Sequence, residues 1–245
     1  MLPQLTVADV SAVTLFVTVW VAYTRFAKVQ ARSQRTLSSV MRHHRVRWMV
    51  RMMANENRIT DASLLANLER VVAFFASTTL LIIAGILTAV STVEGTLTIL
   101  INLPFSIQVT PAVLQLKLLL LAMIFVYAFF KFTWSIRQYS FFAVLLGAAP
   151  GVRDTDMTAE ALTQFSERSA KLIDLASHEF NHGLRAYYFA MALFTWLVSP
   201  WMCMLATLWV VLVLYRREFH SQALKTLDEC REYRELPTPA GNEKT

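Results

Sequence analysis

Apolar and polar positions alternate along this chain in long blocks. Apolar stretches lie near residues 8–24, 71–92 and 111–132, and a last run, 184–215, is interrupted once by Ser199-Pro200. A bilayer core takes about 20 mostly apolar residues per helix, so these blocks predict membrane spans. The last run would extend about 46 Å as one helix, against a hydrocarbon core of about 30 Å. Pro200 also removes a helix hydrogen bond, which favours a break there. Two spans joined by a tight turn at Ser199-Pro200-Trp201 follow, with Trp196 and Trp201 at the outer interface. The expected fold is an all-α, polytopic transmembrane bundle of about five spans (8–24, 71–92, 111–132, 179–199 and 201–217). Four spans stay possible if the last run is one bent helix.

Charge supplies the orientation. Arg25, Lys28, Arg32, Arg35, Arg42, Arg45, Arg47, Arg51 and Arg58 lie between the first two spans, whereas 93–110 holds no lysine or arginine. The positive-inside rule puts the first segment in the cytoplasm and the second outside. The N-terminus is then out and the C-terminus in, across a cytoplasmic (inner or plasma) membrane. The tail with Arg216, Arg217, Lys225, Arg231 and Arg234 agrees only if the last run crosses twice. The first apolar stretch lacks a preceding basic residue and a small-residue cleavage site, so it reads as a retained span. Residues 1–236 form one integral membrane domain, with cytoplasmic helical segments 25–70 and 133–178, and 237–245 is a disordered tail.

Composition fits this class. Of 245 residues, 56% are hydrophobic, with a net charge of +6. The basic residues sit beside spans, where they set topology and meet anionic headgroups, and no nucleic-acid fingerprint accompanies them. Cys203 and Cys230 would be about 40 Å apart on one helix, too far for a disulfide.

Trp48, Met49, Met52, Met53 and Ile59 recur near helical spacing among arginines. That segment either lies on the inner leaflet or packs on the cytoplasmic helix ends. Thr60 or Asp61 would cap the next helix, in which Ala73, Ser77 and Gly85 permit close helix approach and Ser77, Thr78 and Thr79 offer hydroxyls. A helical turn is expected within 93–110, and Pro111 suits the first turn of the third span. Lys117, one to two turns inside, is a functional candidate whose stem can also carry its ammonium out to water. Asp154 and Asp156 belong to a polar stretch that ends one helix and caps the next.

Three span ends bring candidate chemistry together at the cytoplasmic face: Lys131, Trp134, Arg137 and Gln138; His178, Glu179, Asn181, His182 and Arg185; Tyr215, Arg216, Arg217, Glu218 and His220. Such a pocket would suit an anion or a lipid headgroup. Residues 178–182 also read H-E-x-x-H. On a helix, His178 and His182 share a face and can ligate zinc, with Glu179 activating a bound water. A catalytic zinc needs a third ligand, for which Asp174, Glu218, His220 and Asp228 are the candidates. His43 and His44 are adjacent and diverge by about 100° on a helix.

Four stretches carry a family resemblance: Phe74 to Thr79; Phe129 to Tyr139; Phe180-Asn181 with Gly183 to Phe189; and Val213 to Phe219. Through them the chain resembles the membrane-protein family known as domain of unknown function 599. The resemblance implies a membrane class and draws attention to the Phe-Asn-x-Gly-Leu-Arg core, without an activity, cofactor or substrate. The leading functional expectation is an oligomeric transport, channel or lipid- or anion-binding module. Its binding residues would be Lys131, Trp134, Arg137, Asn181, Arg185, Arg217 and Glu218, its partners membrane lipids and copies of itself, and it would need no cofactor. A zinc-dependent membrane hydrolase and a membrane scaffold or assembly factor are the alternatives. Enzymatic activity stays open, with the non-enzymatic reading in front.

Overall fold

The computed structural model describes residues 5–33, 37–102, 109–151, 158–219, 222 and 225–227. Asp154, Asp156, His220, Asp228, Cys230 and the tail from 237 lie outside them. Among the described residues the chain is helical, with no strand. The helices are α1 (Val7–Ser33), α2 (Leu37–Met53), α3 (Ile59–Ser91), α4 (Val93–Ile101), α5 (Pro111–Gly147), α6 (Ala159–Phe194) and α7 (Pro200–Phe219), with a 3-10 turn at Thr195–Leu197. Three of them hold stretches long and apolar enough to cross a membrane: Val7–Ala27 of α1, Ile59–Ser91 and Pro111–Gly147. The all-helical membrane class therefore holds.

The helix boundaries follow from local sequence. Thr6 and Asp9 cap α1 reciprocally, with the Asp9 N–H donating to the Thr6 hydroxyl oxygen (3.1 Å) and the Thr6 N–H to the Asp9 carboxylate (3.2 Å). Pro111 opens α5 as expected. No proline or glycine interrupts residues 112–146, so α5 continues unbroken from the stretch expected as a span, 111–132, into the helical segment expected beyond it, 37 residues in all. At about 55 Å it is far longer than a bilayer core is thick. Thr158 caps α6 by accepting the Ala161 N–H at 3.2 Å. Neither Thr60 nor Asp61 caps α3. Asn57 accepts the Ile59 N–H at 3.0 Å, and Asp61 is buried, accepting the Trp48 indole N–H at 2.6 Å. The chain turns back at Ser199-Pro200, so the last apolar run is a helical hairpin.

Helix α5 is central, packing along α3 on one side and α6 on another, while α1 pairs with α7 and α7 also meets α6. Close approach depends on α6, not α3. Ser166, Ser169, Ala170, Ala176, Gly183, Ala186 and Ala190 are buried along α6, whereas Ala73, Ser77 and Gly85 of α3 face outward. Gly183 is the tightest point: a Cβ there would sit well under 3 Å from the Phe132 ring. Around it Phe75, Phe132, Phe180 and Tyr187 pack with centroids 5.6–5.9 Å apart. The Tyr187 and Thr79 hydroxyls meet at 2.7 Å across α6 and α3.

Of the two placements open for α2, the structure has it packed against α6, with Val40, Met49 and Met52 buried. Arg45 pairs with Asp174 and donates to Ser177 Oγ at 3.0 Å. Arg58 binds the carbonyls of Leu146, Ala149 (2.8 Å) and Pro150, which terminates α5 with a cation where its helix dipole is negative. The arginines here therefore anchor helices.

Candidate functional site

The end of the bundle bearing α2 and the Arg216-Arg217 pair is its basic end. There α6 presents His178, Asn181, His182, Arg185 and Tyr188, spaced three and four apart and so on one face. Helix α7 presents Leu214, Arg217 and Glu218 in the same way. Between these faces lies a cavity of about 140 Å³, with Leu184 at its edge.

Its one carboxylate is held from both sides. Arg185 Nη2 donates to Glu218 Oε1 at 2.6 Å, and the Tyr23 hydroxyl of α1 donates to Glu218 Oε2 at 2.9 Å. The Arg185 guanidinium also stands over the Tyr23 ring, 5.8 Å from its centre. Arg217 donates to the Tyr188 hydroxyl and lies 5.9 Å over that ring. Two guanidiniums thus face a single acid, leaving a net positive lining whose donors suit phosphate or carboxylate oxygens. Along α6 the lining changes from His178 and Asn181 to Tyr188, and on α7 from Glu218 to Leu214. The cavity is therefore polar toward the helix ends and more apolar toward the middle of the bundle.

The sequence-predicted cluster divides. Asn181, Arg185, Arg217 and Glu218 share the cavity. Lys131, Trp134 and Arg137 do not line it, because α5 and α7 meet α6 on different faces. Lys131 pairs with Glu179 at 2.8 Å and covers the Tyr127 ring at 5.6 Å. Trp134 is half exposed, and Arg137 stacks over Phe141 at 5.4 Å.

Of the H-E-x-x-H set, His178 and His182 line the cavity, while Glu179 turns away to Lys131. Asp174 is taken by Arg45 and lies 3.7 Å from Arg42, and Glu218 by Arg185 and Tyr23. Among the described residues no group of three His, Cys, Asp or Glu side chains could hold a metal ion. His220 and Asp228 fall outside those residues.

Sequence reasoning missed Tyr188, which lines the cavity, and Tyr23, which holds the cavity's Glu218 from α1. Each is an aromatic two or three residues from an arginine, Arg25 or Arg185, which is the signal available for them. At the opposite end Lys117 does not snorkel: it is 2% exposed and paired with Asp9 at 3.1 Å. Trp196, expected at the interface, is fully buried beside them, whereas Trp201 is exposed.

The four stretches that carried the resemblance supply both the aromatic packing around Gly183 and the Arg185, Arg217 and Glu218 of the cavity. No curated protein and no solved structure matches the chain. A family model covers residues 11–223, and the chain belongs to that family, the proteins of unknown function described as DUF599.

Proposed function

We propose that this protein is a five-span integral membrane protein whose cavity between α6 and α7 binds an anionic headgroup at the cytoplasmic face. The ligand chemistry is a phosphate or carboxylate, carried by a membrane lipid or by a free anion. The observation that carries the reading is the convergence of Arg185, Arg217, His178, His182 and Asn181 on one cavity holding a single, already engaged carboxylate. The change from polar to apolar lining favours an amphiphile whose charged end sits at the helix ends.

The span count rests on α6 and α7. Met191, Phe194, Trp201, Leu205, Leu208, Trp209 and Leu212 are exposed along them, an apolar surface larger than soluble proteins ordinarily leave in water. The hairpin at Ser199-Pro200 returns Arg216 and Arg217 to the end that carries the arginines of α2, so one cytoplasmic side serves both. The N-terminus is then outside and the C-terminus inside. Conduction would need copies of the chain assembled around a shared path, since the cavity is about 140 Å³. Binding is the simpler role. The hydrolase reading is not favoured, because Glu179 is committed to Lys131.

The test uses the full chain purified in detergent. Its retention of phosphatidic acid and of phosphatidylcholine is compared by native mass spectrometry, and inorganic phosphate is titrated by calorimetry. Preferential retention of the acidic lipid, weakened about tenfold by Arg217→Gln, is the expected result, the loss of one charge-assisted contact. Equal retention of both lipids with no phosphate heat would end the reading.

A further inference from the structure

The end of the bundle opposite the cavity contains a second polar cluster, built differently. Lys117 of α5 donates to the Trp196 carbonyl (3.0 Å) in the turn between α6 and α7, and pairs with Asp9 of α1 (3.1 Å). The Trp196 indole N–H donates to the same Asp9 oxygen at 2.8 Å, and the Thr6 hydroxyl donates to the other at 2.6 Å. The Lys117 ammonium also lies 4.8 Å over the Trp196 ring. Lys117, Asp9 and Trp196 are all buried. One ion pair therefore ties α1 to α5 and to the α6–α7 turn.

The same helix, 14 residues or about 21 Å further on, carries Tyr23, which holds Glu218 and lies beneath Arg185 in the cavity. Between these two points aromatic side chains of α1 meet Phe189 of α6. Trp20 stacks on Phe189 at 5.5 Å, and Phe16 meets it edge-on at 5.8 Å. No glycine or proline interrupts α1 from Asp9 to Tyr23, so this stretch is a continuous rod touching both clusters.

We infer that α1 is a coupling rod: the buried Asp9–Lys117 latch at one end fixes Tyr23 at the other, and thereby controls the anion-binding state of the α6–α7 cavity. The inference rests on the binding reading given above for its ligand, but not for its mechanics. With the latch closed, Tyr23 occupies one Glu218 oxygen and Arg185 the other. When α1 shifts, Glu218 loses a donor and draws more strongly on Arg185 and Arg217, which lowers their availability to a ligand. Linkage then requires the reverse: bound anion must stabilise the latch.

The experiment is amide hydrogen exchange by mass spectrometry on full-length protein in detergent, with inorganic phosphate and phosphatidic acid as separate probes. Asp9→Asn is expected to speed exchange at least tenfold both in residues 7–13 and in residues 20–27, and to weaken binding of whichever probe wild type takes. Breaking one side of a buried pair is worth roughly 150-fold to several thousand-fold, so tenfold is a lower bound. The double variant Asp9→Leu, Lys117→Met removes both charges and should return both quantities toward wild type. Tyr23→Phe, a milder change at the cavity, should speed exchange in residues 7–13 about fivefold, the equivalent of one hydrogen bond. Faster exchange confined to 7–13 in Asp9→Asn, or an unmoved 7–13 segment in Tyr23→Phe, overturns the coupling. If wild type binds neither probe, the cavity reading falls, and the exchange in 20–27 and 7–13 still decides the rod.

Discussion

The two ends of this bundle use similar residues for opposite purposes. At one end Lys117, Asp9 and Trp196 are buried and take up one another's donors and acceptors. At the other, Arg185, Arg217 and Glu218 surround open volume, and their single acid is outnumbered. Charge closed on itself inside a membrane protein holds helices together, whereas charge left over beside a cavity can recognise something else. Sequence alone points to the open end, where Arg185, Arg217 and Glu218 gather at span ends, but it supplies no partner for the intramembrane Lys117.

The largest effect expected from breaking that contrast is at the closed end. Lys117→Met strands the Asp9 carboxylate and should cost about 3–5 kcal/mol of stability, read as a lowered unfolding temperature in detergent. Asp9→Leu added to it should recover most of the loss; no recovery would mean that packing around Lys117, and not the pair, is what matters. Next comes the interior between the two ends. Gly183→Ala pushes a methyl into the Phe132 ring and should cost about 1–3 kcal/mol, partly relieved by Phe132→Leu. Tyr187→Phe removes the hydroxyl that meets Thr79 and should cost about 1 kcal/mol in the same assay. Smallest in stability is Arg217→Gln at the open end. Its guanidinium touches a tyrosine near the surface, so its effect on melting should stay within about 0.5 kcal/mol while anion binding falls. A large destabilisation by Arg217→Gln would make the open end as structural as the closed one.

Much of the fold was legible because bilayer crossing imposes a length, and because Pro111 and Pro200 punctuate helices in known ways. The polar stretch around Asp154 and Asp156 marks a helix end before it, and α5 stops at Gly147; what the sequence does not mark is where along α5 the bilayer is left. Half of the cavity could be read from Arg185, Arg217 and Glu218 at span ends. The spacing from His178 to His182 correctly put both on one face, but it could not say that Glu179, a residue away, would face Lys131. Asp9 was invisible as a partner for Lys117 because over a hundred residues separate them. The sequence does not name what lies against Gly183; its contact with the Phe132 ring of α5 emerges only with the fold.

The most direct test of the account is anionic-lipid retention by full-length wild type beside the Arg217→Gln variant, with folding of both checked by melting. The account predicts equal melting and about tenfold weaker phosphatidic acid retention in the variant, with phosphatidylcholine indifferent to the change. Equal retention by two equally folded proteins would contradict it, and would leave the cavity's arginines as markers of topology.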